Sequence, residues 1–189
     1  MTRTDTLFLA TEKYYNTYDG YPNDTAQSVE SRWNWDVAVN GDYDISISAN
    51  GYVTLDDPDT VDSALIQVGE SSTVEQHLNS YDAVVVIDDR VVSGGDGKAK
   101  LGTVGGDRAY AYVQDDVVIT AAHELGHIYG VSHEGDDTHW QNTEPYRHGL
   151  MGYDGVDPSC NGLDPNIVRD NVYGDCARNR IRDVIDSNL

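Results

Sequence analysis

Apolar and polar positions along the chain change period several times, and each change marks an element. Residues 6–11 (TLFLAT) form a short apolar run that predicts a first strand. Asp24 is placed to cap a helix reaching about Val39 and ended by Asn40 and Gly41, with Val29, Trp33 and Val37 four apart on one face. Residues 44–48 (DISIS) alternate as a half-buried strand does, and residues 72–79 predict a short helix. Residues 83–87 (AVVVI) have no polar alternation at all, which predicts a strand covered on both faces.

Further on, residues 93–97 (SGGDG) read as a loop, residues 101–104 as a short strand closed by Gly105 and Gly106, and residues 110–114 as another strand. In VVITAAHELGHIY, positions 118, 121, 122, 125 and 129 make one helical stripe, with Asp115 or Asp116 available as its cap. After Gly130 regularity fades until a last helix at about 175–185. Strands and helices in alternation predict an α/β fold with a mixed, mostly parallel twisted sheet, the second long helix packed beneath it and an irregular C-terminal part ending in a helix. With no repeats and no linker-like stretch, residues 1–189 are expected to form one domain, its upper part at about 1–130 and its lower part at 131–189.

Composition changes the picture mainly through charge. The 189 residues carry a formal net charge of −21, set by 33 acidic against 12 basic groups. Only Lys13, Lys98 and Lys100 supply ammonium groups, and the acidic excess is mostly Asp. Binding to nucleic acid is disfavoured by such a surface. Dense carboxylates repel one another at low salt and are screened at high salt, so a halophilic source is the expectation. The longest purely apolar run stops at Asp88, far short of the roughly 20 residues that span a bilayer. Residues 1–10 lack the charged and apolar regions of a signal peptide, so either an export signal has been removed or the protein stays inside. An extracellular, monomeric protein is expected, with the cytoplasm as the alternative.

The chemistry concentrates in residues 123–133, HELGHIYGVSH. His123 and His127, four apart on a helix, stand about one turn from each other and can reach one metal ion. A catalytic zinc takes three protein ligands and keeps a position for water, and His133 is the candidate third. To reach the same ion the backbone must leave the helix sharply, as a left-handed residue allows, and Gly130 sits where that turn is needed. Glu124 lies about 100° round the helix from His123 and about 60° from His127, close enough to touch a metal-bound water without ligating the ion, where a general base belongs. A purely structural zinc normally has four protein ligands and needs no base, so this set favours an enzyme over a zinc-stabilised binding module. His77, His139 and His148 have no such spacing. Acidic loops at 56–62 and around Asp96 offer possible calcium ligands. Cys160 and Cys176 are close enough in sequence to staple a loop as a disulfide, worth about 3 kcal/mol in the chain-entropy treatment.

In full, His123, Glu124, His127, Gly130 and His133 match the HExxHxxGxxH signature, and on these residues the chain resembles the metzincin zinc peptidases. The resemblance implies a zinc-dependent endopeptidase acting on polypeptides, in the form of a mature or pro-less catalytic domain. It also implies a Met-turn, for which Met151 in HGLMGYDG is the candidate floor beneath the metal. LGTVGG, AYAYVQDD and the helix after them resemble the reprolysin or adamalysin branch over residues 80–155, with an edge strand flanking the cleft. The polypeptide substrate is expected to lie extended along the strand near residues 101–106, adding its backbone to the sheet edge. That branch usually has Asp after the third His and several cysteines near the Met-turn, whereas Glu134 and a single cysteine pair stand here. Glu134 and the Met151–Tyr153 arrangement resemble the astacins, which implies Tyr153 as a candidate oxyanion donor, although the spacing from third His to Met is shorter.

The charge excess generates the first prediction: the folded state should be lost below about 0.5 M salt, where screening is weak. Circular dichroism across a salt series checks it, and full stability in dilute buffer would remove the halophilic reading.

Overall fold

A computed structural model of the chain describes residues 2–36, 43–114, 118–131, 138–139, 147–148 and 175–189. The main sheet has five strands in the order β2-β1-β3-β5-β4: β1 (Thr2–Thr11), β2 (Tyr43–Val53), β3 (Ala83–Ile87), β4 (Gly97–Ala99) and β5 (Tyr110–Val113). β1 pairs in parallel with β2 and β3, and β3 with β5, while β4 runs antiparallel at the edge. The fold is the mixed, mostly parallel α/β arrangement that the hydrophobic pattern predicts.

Every residue of β3 is buried because both faces of the sheet are covered. Ala83, Val85 and Ile87 join Phe8, Trp33, Leu125 and Tyr129 on one side, and Val84 and Val86 join Leu7, Leu9, Leu65 and Tyr112 on the other. The first layer is built by α2 (Asn23–Asp36), α5 (Val118–Ile128) and α6 (Asp175–Asn188). The second is built by α3 (Val61–Glu70) and α4 (Ser72–Leu78). Trp33 and Tyr129 lock α2 to the end of α5, their ring centroids 4.8 Å apart.

Two helices go beyond the sequence reading. The seven-residue α1 (Glu12–Tyr18) starts directly from β1, with the Thr11 hydroxyl accepting from the Tyr14 amide at 3.1 Å. At α3, Thr60 and Ser63 form a reciprocal capping box, and Val61, Ala64, Leu65 and Val68 give the buried stripe. One correction concerns residues 101–104, expected to be a strand. Their amides are diverted: those of Gly102, Thr103 and Val104 donate to the carbonyls of His127 and Ile128 at 2.8–3.2 Å. The strand that does flank β5 is β4, in a stretch whose first residue had been read as loop. The remaining strands, β6 (Thr138–His139) and β7 (Arg147–His148), pair with each other in antiparallel fashion. Among the described residues, no helix is long and apolar enough to cross a membrane.

The two edges of the main sheet are treated differently. On β2, the outer backbone is covered from α2: Asn34 brackets Ile45 with bonds of 2.8 and 3.2 Å, and Glu30 accepts from the Ile47 amide at 2.7 Å. Around β4, the bonds Gln114 N–H to Asp96 C=O and Lys100 N–H to Tyr110 C=O set the alternation. That alternation turns the backbone groups of Gly97 and Ala99 outward, away from β5. Among the described residues no further strand pairs with them.

At the carboxyl end of β3, Asp88 is fully buried and accepts from the Thr11 hydroxyl at 2.8 Å, the Tyr112 hydroxyl at 3.0 Å and Arg90 Nε at 2.7 Å. Removing this carboxylate leaves a mostly buried guanidinium to the exposed Asp57 alone among the described residues, and takes the acceptor from two hydroxyls. Asp88→Ala is therefore expected to cost about 3–5 kcal/mol, lowering Tm by roughly 10 °C at this chain length. Thermal and urea unfolding check this, and a loss under about 1 kcal/mol would mean that the network contributes little.

Candidate active site

The site begins with the way α5 ends. Gly130 adopts φ +86°, its amide bonds to the His127 carbonyl at 2.9 Å, and the Val131 amide bonds to the Gly126 carbonyl at 3.1 Å. These are the two bonds of a Schellman termination with glycine in the left-handed position. The turn is pressed from outside by α6: a Cβ added at Gly130 would lie 3.1 Å from Val184 Cγ2. Arg180 Nε also donates to the Gly130 carbonyl at 3.4 Å.

Within α5, Ala121, Ala122, Leu125 and Ile128 are buried against the sheet, which leaves His123 and His127 half-buried on another face. Their rings stand 4.7 Å apart, centroid to centroid, at 89° to each other. His127 Nδ1 is 2.7 Å from the Val131 carbonyl oxygen. A carbonyl can only accept, so Nδ1 carries the proton and Nε2 is the nitrogen that bears the lone pair. This is the arrangement that orients metal-binding histidines. The turn at Gly130 thus redirects the chain and supplies the carbonyl that sets the tautomer of His127.

Glu124, between the two histidines in sequence, is only 5 % exposed. Its Oε2 is buried with no hydrogen-bond partner among the described residues. Burial pushes the carboxyl up to about 8, and the positive charge of Lys98 pulls the other way. A cation held by the neighbouring imidazoles would offset the burial further. Gly97 leaves the carboxylate its room. A Cβ there would lie 2.8 Å from Glu124 Cγ, 3.0 Å from its Oε1 and 3.0 Å from Thr120 Cγ2.

These donors suit zinc: two imidazoles on successive turns, one with its tautomer fixed, and a buried carboxyl with one unbonded oxygen beside them. Among the described residues no group of three or more His, Cys, Asp or Glu forms a metal cluster. His133, the proposed third ligand, lies outside them, as do Met151, Tyr153, Glu134 and Cys160. Cys176 falls in α6, with its side chain outside the described set. Two carboxylates of the acidic 56–62 stretch are engaged in ion pairs, Asp57 with Arg90 and Asp62 with Lys98, which leaves the calcium expectation without support. His77 packs edge-on to Tyr81, away from the motif in sequence.

The sequence reading missed Gly97, Lys98 and the Val131 carbonyl. Gly97 and Lys98 sit in a Gly-rich stretch with little strand propensity. The carbonyl bond becomes visible only once the chain has turned.

A mostly parallel sheet over a helix bearing His123, Glu124 and His127, ended by a glycine turn, is the layout of a metzincin-like metallopeptidase. Residues 2–162 match the family model Reprolysin_5, described as metallo-peptidase family M12, and the chain belongs to that family. No curated protein sequence matches it. A solved structure described as "Structure of a chaperone-substrate complex" is similar in fold, with a TM-score of 0.64 at 14 % identity. The match covers 100 % of this chain and 35 % of that one, so this chain spans about a third of its length.

The contact between Gly97 and Glu124 yields a prediction. Gly97→Ala should leave the fold intact but displace the carboxyl by part of an ångström, lowering peptidase activity by about 10-fold or more, toward the roughly 100-fold loss that a misplacement of about 1 Å brings. Activity measured beside a circular dichroism melt checks it; full activity would show that Glu124 yields without consequence.

Proposed function

We propose that the chain is a zinc-dependent endopeptidase in which His123, His127 and His133 hold the metal and Glu124 is the general base. The observation that carries this reading is the buried, unbonded Oε2 of Glu124 on the same helix as two adjacent imidazoles. A structural protein gains nothing from leaving such an oxygen unsatisfied, at about 1–3 kcal/mol or more. A general base, by contrast, must keep a lone pair open.

The chemistry a zinc ion supplies when bound is Lewis acidity, toward the scissile carbonyl and toward the attacking water. Glu124 accepts the water proton on its carboxylate and delivers it to the departing amine nitrogen. Burial favours the first half of that relay, since a carboxylate with a raised pKa is a better proton acceptor than an exposed one. The outward backbone groups of Gly97 and Ala99 hold the polypeptide extended as an added strand beside Glu124. This replaces residues 101–106 as the expected substrate-binding strand.

Casein cleavage in high salt with zinc, compared with a chelated sample and with Glu124→Ala, tests the reading. The variant should retain one zinc per chain and lose at least about 100-fold in rate, the lower range for a general base. Wild type that binds zinc but cleaves neither casein nor a diverse peptide library would replace the peptidase reading with a zinc-stabilised binding module.

A further inference from the structure

The edge strand carries a charge that the mechanism does not use. Side chains alternate along β4: Gly97 faces Glu124 and Thr120 of α5, and Ala99 packs on that same side of the sheet. Lys98 therefore faces the opposite layer, where its ammonium pairs with Asp62 of α3. Both partners are exposed, their side chains 52 % and 68 % accessible. Such a pair contributes little and is easily exchanged for another carboxylate. Lys100 follows two residues later, its amide continuing the ladder to Tyr110. Two of the three lysines in a chain of net charge −21 thus stand on or directly after β4, the edge of the main sheet nearest the proposed base.

We infer that Lys98, with Lys100 beside it, selects polypeptides carrying an acidic side chain at the position that faces α3 when the substrate adds as a strand to β4. A substrate backbone pairing with Gly97 and Ala99 projects alternate side chains to the two faces of the sheet. Those on the Glu124 face lie over the catalytic helix. The one on the other face comes level with Lys98, where a Glu or Asp replaces Asp62 as its partner and a Lys or Arg is repelled. Elsewhere the carboxylate-rich surface repels acidic peptides, so these two ammonium groups would also favour the productive site over others. The inference rests on the peptidase reading for its meaning, but its test separates the two.

A fluorescent peptide series with Glu, Gln or Lys walked through each position is measured in two ways. Binding is read by anisotropy on the zinc-loaded Glu124→Gln protein, with and without Lys98→Glu, and kcat/KM on wild type and on Lys98→Glu alone. At one position, Glu should exceed Gln by about fivefold in affinity and in kcat/KM at the lowest salt that keeps the fold, the upper range for an exposed pair. The order should invert in the Lys98→Glu proteins and shrink as salt is raised. Cleavage with no charge preference at any position, or a preference unchanged by Lys98→Glu, overturns the inference and leaves the peptidase reading standing. The predicted binding order without cleavage by wild type keeps the inference for a binding surface and removes the peptidase. Neither binding nor cleavage removes both.

Discussion

The C-terminal end of α5 is the point on which sheet, helical layers and chemistry all depend. A helix leaves its last carbonyls without intrahelical partners, and here the end is buried, so they must be satisfied by protein. The amides of Gly130 and Val131 fold back onto His127 and Gly126, and those of Gly102, Thr103 and Val104 arrive from the loop before β5. The His127 carbonyl accepts from two directions, Gly102 and Gly130, and so ties the loop to the turn. From outside, α6 closes the turn with Val184 and Arg180, while Ile181 and Ile185 enter the core. A side chain at Gly130 would face both a positive φ and the approach of Val184.

That same turn decides the chemistry of His127, because the carbonyl that reaches Nδ1 belongs to Val131, the first residue beyond the glycine. Termination and tautomer are one structural event. The neighbouring carboxyl is treated in the opposite way. The fold satisfies His127, but it buries Glu124 with an oxygen unbonded and supplies only the charge of Lys98, which reaches it from the other face of the edge strand. A domain stable by about 5–15 kcal/mol can carry one such cost, though not many. It persists because Gly97 offers a hollow of the right size and because a cation beside the imidazoles would relieve it.

Elements whose pattern is set by burial were legible in the sequence. AVVVI reads as a strand covered twice and is one; VITAAHELGHI reads as a helix with its histidines off the buried stripe and is one. The helical pair at the metal-ligand spacing and the glycine after it could also be read, since 3.6-residue geometry and a left-handed turn are local. What escaped was either very short or decided from a distance. Thr11 ends β1 and caps α1 at once, so no loop announces the change. The stripe of α3 and its Thr60–Ser63 box were present in the sequence and passed over. β4, only Gly-Lys-Ala, is a strand because β5 pairs with it, which no propensity scale registers. Residues 101–104 have strand-like composition, but the orphan carbonyls of α5 claim their amides.

Charge shows the same division between what is local and what the fold decides. The cations are few, and several are committed: Arg90 lies between buried Asp88 and Asp57, Lys13 stands 3.7 Å from Asp89, and Arg180 braces the turn at Gly130. Removing any of these would leave a carboxylate or carbonyl with one partner fewer. Lys98 differs, since its partner is an exposed Asp that water solvates nearly as well. Salt then acts on the molecule in two opposing ways. It screens the mutual repulsion of the carboxylates, which favours the compact state, and it screens Lys98 from any charge on an incoming chain. Backbone pairing to Gly97 and Ala99 depends on short hydrogen bonds, so it is screened much less than charge attraction over several ångströms. Engagement of an extended chain at this edge should therefore survive conditions that erase discrimination by charge, because the two arise from different atoms of the same three-residue strand.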